Sequence, residues 1–452
     1  MGKNKVGEVM ELPEYLKYKN NVLYFNDINL LELIKKEGDC LEVNTLDFIG
    51  QQITNLNNIF NNAIQKYGYQ GKYEYFYATK ANYQKRVVNE VLKYTKYLET
   101  SSRNDISIIE YLYKHKKINK ECKIICNGFK DKEYFNKIIS LKNEGLNIIP
   151  IIENEDELKY LIDMNTYFEV GIRVNVDFEY NKVHKINDCT RFGMYYENIL
   201  NRLKQIKNSK LKVTILHFHM NHNIKDINKY IKVLSAIIKN KYIPLKKKIE
   251  TIEYLDIGGG IPASYYNKFN YELLIDKVLK NIQSCCKKSN TKEPNIMSEC
   301  GSYTVADTRF NIFKVQLKKK IRNNAYWYIL NNSIANLIPD SWITHKSYLI
   351  LPINLVNNKF VNVKLSSLTC DNADRYYFQE KKDYLQLPDY KNEDLYIGFF
   401  KTGCYEEILS GYNTVHHCLI EEPKKIIVNK KRINVIKEKQ TDKEILSLLN
   451  YK

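Results

Sequence analysis

Residues 213–260 read VTILHFHMNHNIKDINKYIKVLSAIIKNKYIPLKKKIETIEYLDIGGG. Val213–Met220 is a short apolar run that gives way to polar residues, the pattern of a strand. Asp226–Asn240 then carries Ile227, Tyr230, Ile231, Leu234, Ile237 and Ile238 at helical spacing, with Asp226 placed to cap the helix. Tyr254–Gly260 is strand-like again and ends on three glycines. Strand, helix, strand is one unit of an alternating fold, and the same rhythm continues in both directions.

Further strand candidates are Tyr75–Thr79, Tyr97–Ser101, Lys123–Gly128, Asn147–Asn154, Phe168–Val176 and Asn295–Cys300, with helix patterns between them. Eight strand–helix units in about 225 residues match the size of a (β/α)8 barrel. A doubly wound open sheet is the alternative, but eight regular units show no reversal signal. A helix pattern over Asp47–Tyr67 would cover the barrel's other end or its side. Beyond residue 306 the rhythm changes to strands alone: Ile312–Leu317, Tyr326–Leu330, Tyr348–Leu355, Phe360–Ser366, Leu395–Phe400 and Ile426–Val428. The expected division is an N-terminal segment, 1–45, whose strand Val22–Phe25 packs with the β domain, a barrel over 46–305, and a C-terminal all-β domain over 306–452. No internal repeat stands out, and the one biased stretch is a Lys-rich tail around Lys430–Lys443.

The chain has 452 residues, too many for one ordinary core, and its 9 Pro and 17 Gly exclude collagen-like and linker-like sequences. No apolar run reaches the ~18 residues of a membrane span, and the N-terminus lacks a signal peptide's apolar block, so a cytoplasmic protein is expected. The net charge of +18 comes from scattered lysines in short runs. That is the signature of solvated helix faces in a Lys-rich composition more than of a nucleic-acid surface, so neither nucleic acid nor membrane is an expected partner. Ten cysteines form no framework and are read as reduced thiols, most of them core residues.

Barrel chemistry sits at the C-terminal ends of the strands. There this sequence places Lys80, Ser101 and Ser102, Arg173, His217 and His219 with His222 beyond, Asp256, the glycines 258–260, and Glu299 before Gly301 and Ser302. Glycine N–H groups can approach a phosphate closely, although a tight turn alone would also use them. A lysine in an apolar strand end needs a reason for its buried charge: a Schiff base to a carbonyl cofactor supplies one, and snorkelling to the rim is the other reading. His217, His219 and His222 could bind a metal, but no carboxylate or cysteine lies near them in sequence, so no metal is expected.

Together these motifs resemble a family. Phe76-Tyr-Ala-Thr-Lys-Ala-Asn, Leu216-His-Phe-His, Leu255-Asp-Ile-Gly-Gly-Gly-Ile-Pro, Glu299-Cys-Gly-Ser, Thr369-Cys-Asp-Asn-Ala-Asp and Gly403-Cys-Tyr are similar, in order, to motifs of the fold-type III pyridoxal-phosphate decarboxylases. That family includes the ornithine, diaminopimelate and arginine decarboxylases. The resemblance implies an alanine-racemase-like (β/α)8 barrel with a C-terminal β domain, pyridoxal 5'-phosphate as cofactor, and a homodimer with shared active sites. Lys80 would hold the cofactor as a Schiff base, His219 would stack on its ring, and Glu299 would pair with the ring nitrogen. Gly258, Gly259, Gly260 and Tyr405 would hold the phosphate, Glu99 would be a cofactor-side carboxylate, and Arg173 would line the pocket. Cys370, arriving from the second subunit, would protonate the carbanion. Asp340 and Asp371 would face the substrate's distal cation. Two positions depart from the family: Ser302 stands where relatives have a phosphate-binding Arg, and His222 where they have a Ser.

The segments Asn336-Leu-Ile-Pro-Asp-Ser-Trp and His417-Cys-Leu-Ile-Glu-Glu-Pro-Lys resemble the arginine-decarboxylase-like branch. The expected reaction is therefore L-arginine to agmatine plus CO2, in polyamine biosynthesis. Two carboxylates would equally hold an ornithine or lysine ammonium. A diaminopimelate enzyme should offer a cation for the distal carboxylate, and none can be placed. A non-catalytic cofactor-binding protein of the same fold is the alternative from another class; such proteins are usually single barrels, and the long C-terminal region with Cys370 and Asp371 argues against it.

Overall fold

Eight parallel strands, Tyr73–Ala78, Tyr97–Thr100, Lys123–Cys126, Asn147–Ile152, Phe168–Arg173, Leu211–His217, Tyr254–Asp256 and Asn295–Cys300, close into a barrel in that order. The last strand pairs with the first, Ile296 opposite Tyr73 through Cys300 opposite Tyr77. The computed structural model describes residues 12–187, 189–220, 223–264, 268–322, 324–377, 384–430 and 432–451. They divide into two compact units, one made of residues 49–264 and 268–304, the other of residues up to Phe48 with those from Val305 onward.

In a parallel barrel both faces of each strand are covered, which is why these strands read as nearly continuous apolar runs. Side chains two residues apart share a face, so the barrel interior divides into layers. At the N-terminal ends, Glu74 and Lys123 form an ion pair of 2.5 Å, with Lys123 Nζ lying 4.3 Å from the Tyr254 ring centroid. Next comes a buried apolar layer of Phe76, Ile125, Ile149, Ile151, Ile215 and Met297. Gly171 belongs to this layer: a Cβ there would collide with Ile151 Cδ1 and come within 3.1 Å of Ile215 Cβ, so its neighbours fill its space. Two residues further along the strands the layer is polar: Glu99, Asn127, Glu153, Arg173, His217, Asp256 and Glu299, all buried.

Helices follow the first seven strands, and several begin at a side-chain cap. Ser102, Asp131, Asn154, Asp226 and Asn270 each accept a backbone N–H in the first turn, a contribution of about 1 kcal/mol apiece. The eighth strand leads only to the four-residue helix Ser302–Val305. Its place on the barrel's side is taken by the helix Asp47–Tyr67, which buries Ile53, Leu56 and Phe60. Phe60 stacks on Tyr73 of the first strand at 3.6 Å between centroids. Lys66 pairs with Asp276 at 2.9 Å, and Gln283 donates to the Tyr67 carbonyl at 3.2 Å, tying this helix to Tyr271–Lys288. The helix after the sixth strand is Ile227–Ile237, continued by a π-helical turn over Ile238–Tyr242.

The second unit is a nine-stranded sheet with a three-stranded annex. The 13-residue strand Arg309–Ile321 serves two sets of partners: its first half pairs with Leu41–Thr45 and Tyr396–Phe400, its second with Ala325–Leu330. Leu41–Thr45 is a wholly buried strand that sequence patterning missed, because Glu42, Asn44 and Thr45 look solvent-facing. Glu42 instead receives buried Arg309 at 2.6 Å and lies 3.6 Å from Lys425. Burial opposes its charge, but those two cations outweigh it and hold the carboxyl at about 2. Val22–Phe25 pairs with Leu16–Lys19 and Ile28–Asn29 in the annex, and Leu23 and Phe25 share a core with Phe310, Leu349 and Phe400. The Lys-rich stretch carries regular structure among its described residues: Arg432–Lys437 is a strand paired with Lys424–Asn429, and Asp442–Leu448 is a helix with a Thr441/Glu444 capping box. Among the described residues no helix is long and apolar enough to cross a membrane.

Candidate active site

The predicted strands ran up to four residues past the observed ends: Tyr254–Gly260 stops at Asp256, and Tyr75–Thr79 stops at Ala78. The overrun is the site itself, since polar and glycine residues there leave the sheet as loops. Lys80 accordingly lies on a single 3-10 turn, Thr79–Ala81, rather than in an apolar strand end. Its side chain is 41% exposed, and its Nζ lies 3.2 and 3.1 Å from the two carboxylate oxygens of fully buried Glu99. The ammonium therefore has a counter-ion, and no buried-charge penalty has to be explained.

Glu99 is the first member of a bonded chain across the barrel. Asn127 Nδ2 donates to Glu99 Oε1 at 2.9 Å and to Glu299 Oε1 at 2.7 Å, so a single amide links the two carboxylates. His217 Nε2 lies 3.4 Å from Glu299 Oε1. Asp256 accepts the Gly258 N–H at 2.8 Å. Across the layer, Arg173 donates to Glu153 at 2.8 Å and stacks its guanidinium 4.5 Å from the Phe192 ring centroid. Glu153 also accepts the N–H groups of Gly128 and Gly193, which fixes the arginine's position.

Burial decides the protonation of this layer. It pushes Asp256 up to about 7, and it raises Glu299 well above the carboxylate range, helped by the negative charges of Asp256 and Glu99. His217 is pushed well below its usual range by burial and then by the Arg173 charge, so it is neutral. Atoms of His217, Asp256 and Glu299 converge within 4.8 Å. Sequence reading set a metal aside for want of a carboxylate near the histidines; folding brings two from neighbouring strands. In the trio the two carboxyls are pushed toward their protonated forms and the imidazole toward its neutral form. Among the described residues, both ring nitrogens of His217, Asp256 Oδ2 and Asn127 Oδ1 are buried and have no hydrogen-bond partner.

The glycine motif has a steric reason. Gly258 has φ +65°, and a Cβ on it would come within 2.7 Å of the Phe218 carbonyl and 2.8 Å of His219 Cδ2. A Cβ on Gly259 would come within 2.9 Å of the Glu299 carbonyl and 3.1 Å of His219 Nε2. His219, half-buried just past the sixth strand, thus lies directly against the glycine turn, while Gly260 continues it at φ +98°. Ser302 begins the short helix Ser302–Val305 and is half-buried. His222 lies outside the described residues.

The remaining candidates belong to the second unit. Tyr405, at φ 70°, starts the helix Glu406–Leu409, and Gly403 before it is required because a Cβ would collide with the Val305 carbonyl. Asp340 accepts from Thr344 Oγ1 at 3.1 Å and lies 3.3 Å from Lys346 Nζ, while its backbone N–H donates to Glu406 at 3.0 Å. Asp371 lies 3.5 Å from His417 Nε2 and accepts the Ala373 N–H. Cys370 is exposed. Asp340 and Asp371 are thus each held by local partners of their own. Sequence reading missed Asn127 and Glu153, although both continue the inward register of Ile125 and Ile151 by two residues.

Residues 53–306 match the family model "Pyridoxal-dependent decarboxylase, pyridoxal binding domain". A biosynthetic arginine decarboxylase of Prochlorococcus marinus subsp. pastoris is 24% identical, covering 94% of this chain and 85% of the relative. Among solved structures, a biosynthetic arginine decarboxylase from Campylobacter jejuni superposes with a TM-score of 0.81 at 20% identity, covering 97% of this chain and 91% of that one. A diaminopimelate decarboxylase from M. jannaschii does so with a TM-score of 0.77 at 18% identity, covering 96% and 97%. At these identities the two structures speak to the fold.

Proposed function

The chain belongs to the pyridoxal-dependent decarboxylase family, and on that premise we propose that it converts L-arginine to agmatine and CO2, in the cytoplasm, as a step of polyamine biosynthesis. The observation that carries the substrate is the likeness over 94% of the chain to an enzyme named for arginine. The chain is an amino acid decarboxylase, and pyridoxal phosphate is its cofactor.

The residues present fit that cofactor. Gly258 and Gly259 leave no room for a Cβ beside His219, Lys80 offers an amine on an accessible turn, and Glu299 is a buried acid pushed toward its protonated form. Lys80 would hold the cofactor's carbonyl carbon, Glu299 its ring nitrogen, His219 one face of the ring, and the glycine N–H groups, with Tyr405 and Ser302, the phosphate. Bound there, pyridoxal phosphate supplies an electron sink for the pair left behind when the substrate loses CO2.

The chain's own contributions are positions and protons. Glu99 keeps Lys80 in place through two hydrogen bonds. Glu299 presents a proton to a basic nitrogen brought against it, and neutral His217 does not compete for that proton. Asn127 sets the spacing of Glu99 and Glu299 by bonding both. Cys370 would return a proton to the substrate carbon, acting from the second subunit of a homodimer, and Asp340 and Asp371 would receive the guanidinium.

The test is CO2 release by the purified, cofactor-loaded enzyme from arginine, ornithine, lysine and diaminopimelate. Arginine should be preferred. Turnover of ornithine or diaminopimelate at least tenfold faster would overturn the substrate and leave the family standing. Asp340→Asn should lower the arginine-to-ornithine ratio about tenfold, the consequence of an unpaired guanidinium N–H. An unchanged ratio would leave Asp340 with only the local role its bonds to Thr344 and Lys346 describe.

A further inference from the structure

Cys370 Sγ lies 3.7 Å from Cys418 Sγ, 48 residues away in sequence, and both residues are exposed. Of the ten cysteines only Cys189 shares that exposure. The two segments are held side by side by contacts that do not involve sulfur. His417 Nε2 lies 3.5 Å from Asp371, and the His417 carbonyl accepts from Asn336 Nδ2 at 3.2 Å. Cys418 adopts φ 57° and ψ 18°, a left-handed conformation that a residue with a Cβ adopts at a cost. That turn sets His417 and Cys418 together against Cys370 and Asp371.

We propose that Cys370 and Cys418 are a dithiol that closes reversibly to an intrachain disulfide, a modification site on the loop that bears Cys370. The pairing rests on geometry; its effect on catalysis rests on the reading of Cys370 as the proton donor. The oxidant class is a low-molecular-weight disulfide, RSSR. One cysteine thiolate attacks RSSR, its S–S bond breaks, and one RS⁻ leaves. The other thiolate attacks the resulting mixed disulfide and displaces the second RS⁻. Two thiols and RSSR give one protein disulfide and two RSH, so the cysteines lose two electrons and RSSR gains them. The sulfurs must close to about 2.05 Å, a movement within reach of side-chain rotation at exposed positions. In a reducing compartment such a bond is transient, so the pair would report oxidising conditions and withhold the proton donor while closed.

The cofactor-loaded full chain is treated with glutathione disulfide, then mapped by mass spectrometry of peptides prepared without reductant. A peptide joining Cys370 to Cys418 is expected, and native-state thiol titration should fall from three reactive groups to one. Activity should drop by about a hundredfold or more, the scale of a lost general acid, and return with dithiothreitol. Cys418→Ser should keep the starting activity and yield no joined peptide. Separate glutathione adducts on Cys370 and Cys418, or bonds only to Cys189, would overturn the pairing. A joined peptide with full activity would uphold the pairing and remove Cys370 from the role of proton donor.

Discussion

The polar layer of the barrel and the Cys370–Cys418 loops of the second unit are built by opposite means. In the barrel, five strands and the first residue past two more each contribute one buried side chain, and strand register sets where they meet. In the second unit, Cys370, Asp371 and Cys418 lie on connecting segments positioned by a few local contacts, and their side chains reach solvent. A layer fixed by register is rigid and already organised for binding. A loop group takes its function from whatever approaches it, a substrate, a second subunit or an oxidant.

The largest expected effect separates the two regions. Lys80→Ala should abolish the visible absorbance of the lysine-bound cofactor and lower activity by about a thousandfold or more. Cys370→Ala should lower activity by about a hundredfold or more and leave the absorbance intact. If the sites of a dimer are shared, mixing the two inactive proteins under subunit exchange should restore about a quarter of wild-type activity, since half the dimers are hybrids with one intact site of two. No recovery after demonstrated exchange would place both groups in one chain's site. Unchanged absorbance in Lys80→Ala would dismantle the barrel assignment.

Asn127 tests whether the layer acts as a unit. Its amide serves Glu99 and Glu299 together, so Asn127→Ala leaves both carboxylates a donor short. Losing donors to buried carboxylates costs about 1–3 kcal/mol, so cofactor affinity measured by titrating the apoprotein should weaken about tenfold to a hundredfold. Cys370→Ala should leave that affinity unchanged. Equal affinities in Asn127→Ala and wild type would mean that Glu299 is held well enough by the strands alone.

The same contrast explains what sequence reading reached. Barrel strands were legible because a parallel strand covered on both faces is a short apolar run bounded by polar residues, and the helix Asp47–Tyr67 was legible from its periodicity. Arg173 and Glu299 stood out as charged residues at strand ends, whereas Glu99 came only from the family resemblance. Asn127 and Glu153 obey the same register but lie one residue past their strands, where side-chain direction is not legible without the neighbouring strands. Leu41–Thr45 stayed hidden because the partner that makes a buried Glu42 tolerable, Arg309, is 267 residues distant. The strand Arg432–Lys437 was not legible within its Lys-rich stretch because an edge strand keeps its charges in solvent.

The smallest effect expected is on the pH dependence of stability. An unfolded Asp titrates near about 3.9, whereas burial pushes folded Asp256 to about 7. Below about pH 4 both states hold the proton and burial exacts no charge penalty. Between about pH 4 and 7 the native state still binds a proton that the unfolded state has released, so the free energy of unfolding falls as pH rises, and it levels off above that window. Glu299, raised in the same direction, adds to the decline, and Arg173 moderates it by favouring the Asp256 carboxylate. Asp256→Asn keeps an oxygen to accept the Gly258 N–H and deletes the titration, so urea denaturation of the apoprotein should show a shallower fall across this window than wild type. Cys370→Ala, at an exposed loop position, should reproduce the wild-type slope. If Asp256→Asn declines as steeply as wild type, the buried layer does not hold its proton at Asp256, and the barrel is no different in this respect from the loops.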